Sequence, residues 1–229
     1  MIGCIILYPI YESISNLEKP PKILEPSSRS YQSPTRQRQA DETRRRIAAA
    51  ARELLVEHGY NGMTIDAVAG RAEVSAQTVY AIFRSKRGIL TELLDEARRG
   101  PQFVEAVQQT IEAGDPETRL KSVARITRTV YTSENEVMDL LRGAGVVAPE
   151  LAALEQEREC MRYEGQKHNI AFIIESGRLK AGLDEAMARD IQWTFTSRDI
   201  YRMLVKDRGW PADQYEAWVA EMLIASLLS

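Results

Sequence analysis

One stretch constrains the fold more than any other: Thr64 to Phe83 reads as two short amphipathic helices joined by a turn of three residues. Thr64 suits the N-cap of a helix over Ile65 to Ala72, because its hydroxyl can accept from a free backbone N–H. The apolar set of that helix is Ile65, Val68, Ala69 and Ala72, at the spacing i, i+3, i+4, i+7. Glu73, Val74 and Ser75 form the turn, and Ser75 can cap a second helix from Ala76 to Phe83. Val79 and Phe83 lie one turn apart on that helix, so they can face inward together. Helices this short are unstable alone and must be buried against something else.

The flanking sequence supplies that support. A first helix is expected from about Asp41 to Glu57, with Ile47, Ala50, Ala51, Leu54 and Leu55 on one side. His58-Gly59 ends it, with Gly at the residue after the cap. Ser85 caps a fourth helix carrying Ile89, Leu90, Leu93, Leu94 and Ala97, and Gly100-Pro101 stops or kinks it. Helical punctuation continues to the end of the chain. Asp115-Pro116 starts a helix with proline in its first turn. Ser133-Glu134-Asn135-Glu136 has the spacing of a capping box. Pro149 starts a long helix ending at Gly177, Asp184 caps the next, and Gly209-Trp210-Pro211 separates a last one. No segment alternates as a strand would. The expected fold is all-α: an N-terminal three-helix helix-turn-helix domain over 36–99, then a larger helical domain over 100–229.

Residues 1–35 stand apart. Met1–Ile10 is apolar but short, lacks a basic start and contains Pro9, so a signal peptide is not expected. The Pro- and Ser-rich run that follows reads as a disordered or extended segment. No apolar run of the length of a membrane span occurs, and no membrane partner is expected. Cys4 and Cys160 are too few for a disulfide framework, which fits a reducing, cytoplasmic setting. A lone helical cysteine such as Cys160 is expected as a small buried hydrophobe.

The formal net charge is -3, but it is unevenly placed. Residues 36–100 carry 12 basic and 9 acidic side chains, net +3, whereas 101–229 carry 15 and 21, net -6. A basic segment ahead of an acidic body suits a polyanion-binding head. The outer face of the Ala76–Phe83 helix carries Ala76, Gln77, Thr78 and Tyr80. Gln can bond an adenine edge with two hydrogen bonds, and Thr can bond a base or meet a thymine methyl. Thr64 and Ser75 sit at helix starts that suit phosphates. Lys86 can add a phosphate contact, and Arg36, Arg38, Arg44, Arg45 and Arg46 form a basic stretch before and within the first helix, of which Arg44 is taken as a DNA contact. For any one of Arg44, Arg45 and Arg46 a solvated helix face is an equal reading.

The run from Met63 to Lys86 resembles the DNA-binding signature of the TetR family, approximately T-x-x-x-I-A-x-x-A-G-V-S-x-G-T-L-Y-x-H-F-x-x-K. Thr64, Ala69, Ala72, Val74, Ser75, Thr78, Tyr80, Phe83 and Lys86 agree with it in order. Glu73 and Gln77 stand where glycine is usual, and Ile82 replaces the common His. The resemblance implies a homodimeric transcriptional regulator, usually a repressor, binding double-stranded palindromic operator DNA and released by a small-molecule effector. It also implies a four-helix dimer seam from about 185–207 and 211–228, with Tyr201, Tyr215, Trp218 and Met222 as expected interface residues. Tyr131, Met138, Met161, His168, Phe172, Trp193 and Thr194 lie on the helices that would line an effector pocket. Plain core packing is the competing reading of each.

No enzymatic motif stands against this. His58 and His168 are the only histidines, and no metal-ligand pair, phosphate loop or nucleophile elbow occurs. No cofactor, metal site or catalytic residue is expected. The rival from another class is a helical ligand-binding or enzymatic protein whose helix-turn-helix is vestigial.

Overall fold

The computed structural model describes residues 34–145 and 149–229. The expected disordered or extended segment falls almost wholly outside these residues. Among the described residues the chain is helical, and its only β pairing is an isolated bridge between Leu179 and Leu228. The helices are α1 (Pro34–Gly62), α2 (Ile65–Arg71), α3 (Ala76–Phe83), α4 (Lys86–Asp95), α5 (Pro101–Glu112), α6 (Pro116–Gly145), α7 (Pro149–Gly165), α8 (Lys167–Glu175), α9 (Glu185–Phe195), α10 (Arg198–Tyr201) and α11 (Ala212–Leu227). A single 3₁₀ turn, Ala97–Arg99, follows α4, and a π turn, Arg202–Asp207, follows α10.

The expected starts at Ile65, Ala76 and Pro116 hold because each rests on a local signal. Thr64, Ser75, Ser85, Asp184 and Ser197 all accept a hydrogen bond from a backbone N–H of the helix they open. Three expectations are corrected. The first helix begins at Pro34, not near Asp41, and continues through a kink at Gly59, where φ is 66°. Ser133 caps nothing: it lies inside α6, and its hydroxyl donates to the carbonyl of Thr129 one turn back at 3.0 Å. The apolar rows of α6 run straight through that point, and this packing outweighs the local cap signal. The long helix from Pro149 is divided at Gln166 into α7 and α8. The side chain of Gln166 is buried there and its amide donates to Thr196 Oγ1 at 3.1 Å.

Two hydrophobic clusters organise the molecule. The first joins Ile47, Leu54 and Leu55 of α1 to Val68, Val79, Phe83, Leu90 and Leu94. It also takes in Val137 of α6 and Leu151 and Leu154 of α7, so it crosses the expected boundary near residue 100. The second lies among α6, α8, α9, α10 and α11, around Leu120, Ile170, Ile173, Tyr215 and Leu223. Ion pairs reinforce the junction: Arg158 Nη1 lies 3.0 Å from Asp95 Oδ1, and Arg87 pairs with Glu157.

The turn between α2 and α3 closes in a specific way. Glu73 N–H donates to Gly70 O at 3.2 Å and Val74 N–H to Ala69 O at 3.0 Å. This is the double closure that normally places glycine in the left-handed region. Glu73 occupies that position with φ 51°. A residue with a Cβ is strained there by roughly 1–2 kcal/mol. The substitution Glu73→Gly is therefore expected to raise stability by about 1 kcal/mol in urea unfolding. A loss of stability would show that the Glu73 side chain contributes more than its backbone costs.

Candidate nucleic-acid interface

The surface of α3 divides cleanly. Val79 and Phe83 are buried, and Ala76 packs against the same core from a half-buried position. Gln77 and Ala81 face solvent, and Tyr80 is 54% exposed although it is large and aromatic. Thr78 is half-buried, and its hydroxyl lies 2.8 Å from that of Ser75. Ser75 Oγ also accepts from Thr78 N–H at 3.1 Å. Gln77, expected to read bases, and Tyr80 are thus brought to one outward face, while Thr78 is partly committed to its cap.

The start of α2 is built the same way, with Thr64 Oγ1 accepting from Ala67 N–H at 3.1 Å. Behind α3 the chain turns sharply. Arg84 has φ 64°, and Ser85 Oγ accepts from Gly88 N–H at 3.1 Å. Gly88 cannot carry a side chain, since a Cβ there would stand 2.0 Å from the carbonyl oxygen of Phe83. The exit of α3 and the entry of α4 are therefore locked together, which fixes where Lys86 emerges.

Lys86 is less free than its sequence suggests. Its ammonium lies 3.7 Å from the centre of the Tyr60 ring. Burial holds its pKa below the ordinary lysine value, against the pull of Glu150. The Tyr60 hydroxyl donates to Glu150 Oε1 at 3.1 Å. A cation held over a ring keeps its charge but has a fixed origin. Arg44 is more firmly engaged: it pairs with Glu92 at 2.7 Å and lies 5.1 Å over the Phe83 ring. The Arg44 side chain, expected to contact DNA, is 47% exposed and braces α4 through Glu92. Arg46 also works inward, donating to the Ala72 carbonyl at 2.5 Å and thus closing the end of α2. Neither role could be seen in a run of basic residues, since both partners lie far along the chain.

The body residues divide differently from expectation. Tyr131 is buried and donates to the Thr196 carbonyl at 3.0 Å. Met161 and Phe172 are half-buried, and Arg119 lies over the Phe172 ring at 4.4 Å. His168, Trp193 and Thr194 sit on the surface, so these three do not line an interior. The side chain of Met138 lies outside the described residues. Tyr201 and Tyr215 are buried within the protomer at 3% and 0% exposure, packed ring to ring at 5.0 Å. Both are core residues here, because α11 turns that face toward α6 and α10. Trp218 and Met222 are half-buried on the same helix. Cys160, expected inside, faces solvent. Among the described residues no group of acidic, His and Cys side chains could hold a metal ion, and no helix is long and apolar enough to cross a membrane.

A helix-turn-helix with a capped, outward-facing second helix, joined to a helical body, defines a class: a transcriptional regulator that binds DNA. Comparison with known proteins gives the family. Residues 47–93 match the model of bacterial regulatory proteins of the tetR family. The chain is 24% identical over 182 residues to an HTH-type transcriptional regulator of Mycobacterium tuberculosis strain H37Rv, covering 79% of this chain and 86% of the relative. It is 25% identical over 192 residues to the fatty acid metabolism regulator protein of Bacillus subtilis, covering 79% and 93%. Its fold matches a transcriptional regulator from Saccharomonospora viridis in complex with choline, with TM-score 0.61 at 20% identity over 82% of this chain and 99% of that one. Residues 47–93 thus carry the DNA-binding region of the tetR family, and the chain as a whole is similar to transcriptional regulators and to solved TetR-family folds.

The Tyr60 contact gives a titration that can be read directly. Burial first, and the Glu150 carboxylate second, push the Tyr60 phenol up to about 12. A raised phenol stabilises the fold fully below its ordinary value of 10.0, and this contribution is lost as pH climbs from there toward about 12. NMR titration of the Tyr60 ring should show a midpoint near 12 that falls in Glu150→Gln yet stays above 10.0. An identical midpoint in the variant would rule out the Tyr60–Glu150 contact.

Proposed function

We propose that this protein is a ligand-responsive repressor that binds palindromic operator DNA as a homodimer in the cytoplasm, without enzymatic activity of its own. The observation that carries the reading is the α3 surface: Gln77 and Tyr80 stand outward while Val79 and Phe83 anchor the helix from behind. A short helix presented this way fits a major groove about 12 Å wide. Gln77 reads an adenine edge, Ala76 and Thr78 border the same bases, and Thr64, Ser75, Tyr80 and Lys86 meet phosphates.

The homodimer brings two such helices to the two halves of a palindrome. Trp218 and Met222 contribute to its seam from α11, being half-buried in a single protomer. Met187 on α9 and Met203 on the π turn, exposed by 49% and 45%, would be covered in the same way.

Effector binding is supported by the interior of the body. Gln166 Oε1, Gln192 Oε1 and the Tyr215 hydroxyl are buried and have no hydrogen-bond partner among the described residues. Each such group costs roughly 1–3 kcal/mol unless satisfied. They gather near Thr196, which receives Gln166, and whose carbonyl receives Tyr131. A small molecule with polar groups would satisfy them, as part of a pocket that includes Tyr131. The choline complex of the Saccharomonospora viridis regulator supports this reading, since that chain has a similar fold. The head and body share one core through Val137, Leu151 and Leu154, so a shift of α6 or α7 would be felt at α3.

Operator selection from random duplexes should return a palindrome. Tyr80→Phe and Lys86→Ala should then weaken binding on every sequence alike, while Gln77→Ala should relax preference at one position per half-site, by about 1–3 kcal/mol. Equal weakening by Gln77→Ala on all operator variants would remove its base-reading role. Sedimentation at micromolar concentration should give a dimer, and a Trp218→Ala/Met222→Ala chain should shift toward monomer. A wild-type monomer would overturn the homodimer.

A further inference from the structure

Most cations of the head are already neutralised within the protomer. Arg44 and Arg99 share Glu92, Arg52 holds Glu96, Arg45 holds Glu42, and Arg71 grips Glu53 and Glu57. Arg46 closes the end of α2, and Lys86 rests on Tyr60. Arg36, Arg38 and Arg84 differ: among the described residues none of them makes a hydrogen bond, ion pair or ring contact through its side chain. These three exposed side chains are the cations of the head that no described residue engages.

The place of these residues matters as much as their number. Every residue from Thr35 to Glu42 is exposed, so the first turns of α1 project beyond the core that begins at Ile47. Helical segments without a buried face gain little from packing, and a charged partner is one way to hold them. Arg44 sits over Phe83, the last residue of α3, and Arg84 follows Phe83 directly. The projecting turns thus leave the head beside the C-terminal end of the DNA-reading helix. Arg38 and Arg36 lie six and eight residues before Arg44, which is about 9 and 12 Å along a helix. That reach is close to the width of a major groove, about 12 Å. The two side chains point about 160° apart around the helix axis, so they reach phosphates on opposite sides of it.

We infer that Arg36 and Arg38 on the projecting turns of α1, together with Arg84, form a second DNA-contacting surface that grips the phosphate backbone of duplex DNA flanking each half-site. The inference rests on the DNA-binding reading above and adds to it a contact outside the helix-turn-helix. It is indifferent to sequence, because contacts to phosphate oxygens carry no base identity. It also reassigns the basic stretch of α1: Arg44 and Arg46 brace the head, while Arg36 and Arg38 reach outward.

The test uses the full chain and a labelled mixed-sequence DNA duplex, with binding followed by fluorescence anisotropy across a salt series. Removing one cation from a phosphate lowers the slope of log K against log salt by about 0.9. Arg36→Ala/Arg38→Ala should lower it by about 2 per protomer, and Arg84→Ala by about 1. Arg45→Ala removes a charge from the same helix, but one already paired with Glu42, and should leave the slope unchanged. A slope and affinity retained in the double variant would overturn the inference, as would an equal fall in Arg45→Ala. Failure of the unmodified chain to bind any duplex would instead remove the DNA-binding reading on which it rests. All these positions are exposed, and an unchanged circular dichroism spectrum and melting point would confirm that the variants fold.

Discussion

The reversal between α2 and α3 is the constraint on which the reading surface depends. Three residues must turn the chain, end one helix and cap the next. Glu73 does the first in a left-handed conformation, Arg46 supports the second by meeting the Ala72 carbonyl, and Ser75 does the third. Val74 fills the inside of the turn against the core. With these four fixed, the rotation of α3 about its own axis is fixed as well. That rotation sends Val79 and Phe83 inward and leaves Gln77 and Tyr80 outside. The strain at Glu73 is tolerated because the surrounding hydrogen bonds over-determine the turn.

A rigid head would have no regulatory use if it were independent of the body. Here it is not. The core beneath α3 and α4 continues into α6 and α7, and the link is reinforced by charge: Asp95 with Arg158, Arg87 with Glu157, Tyr60 with Glu150. The ion pair between Arg158 and Asp95 is the most sheltered of these, with the Arg158 side chain only 6% exposed. Such a pair is costly to break on one side alone. Movement of α7 therefore has a physical route to α4, and through Gly88 and Phe83 to the end of α3.

Much of the fold is legible in the sequence because its signals are local. The caps at Thr64, Ser75, Ser85 and Asp184 involve residues three apart, and so can be read directly. Cap chemistry fails where packing opposes it. Ser133 has the right neighbours for a cap, but it sits on a helix already committed along its length to both cores, and its hydroxyl turns back to Thr129. The start of α1 is hidden for the opposite reason. Its first turns bury nothing, so no apolar periodicity marks them. The site is half legible: the outward face of α3 follows from spacing, whereas the inward work of Arg44 and the buried placing of Tyr201 and Tyr215 do not.

The sequence by itself determined the capped helix starts and the three-residue turn, because these rest on contacts within one or two helical turns. The tertiary structure alone decided which charges are spent and which remain. Arg44 and Glu92 are 48 positions apart, and Arg87 and Glu157 are 70 apart. Partners so distant are brought together only by packing, and no local pattern records them. The same holds for the aromatic residues of α10 and α11, whose rings lie in the core or at its edge according to how α11 is rotated against α6. Charge and aromaticity are properties of residues; whether either is available to a partner is a property of the fold.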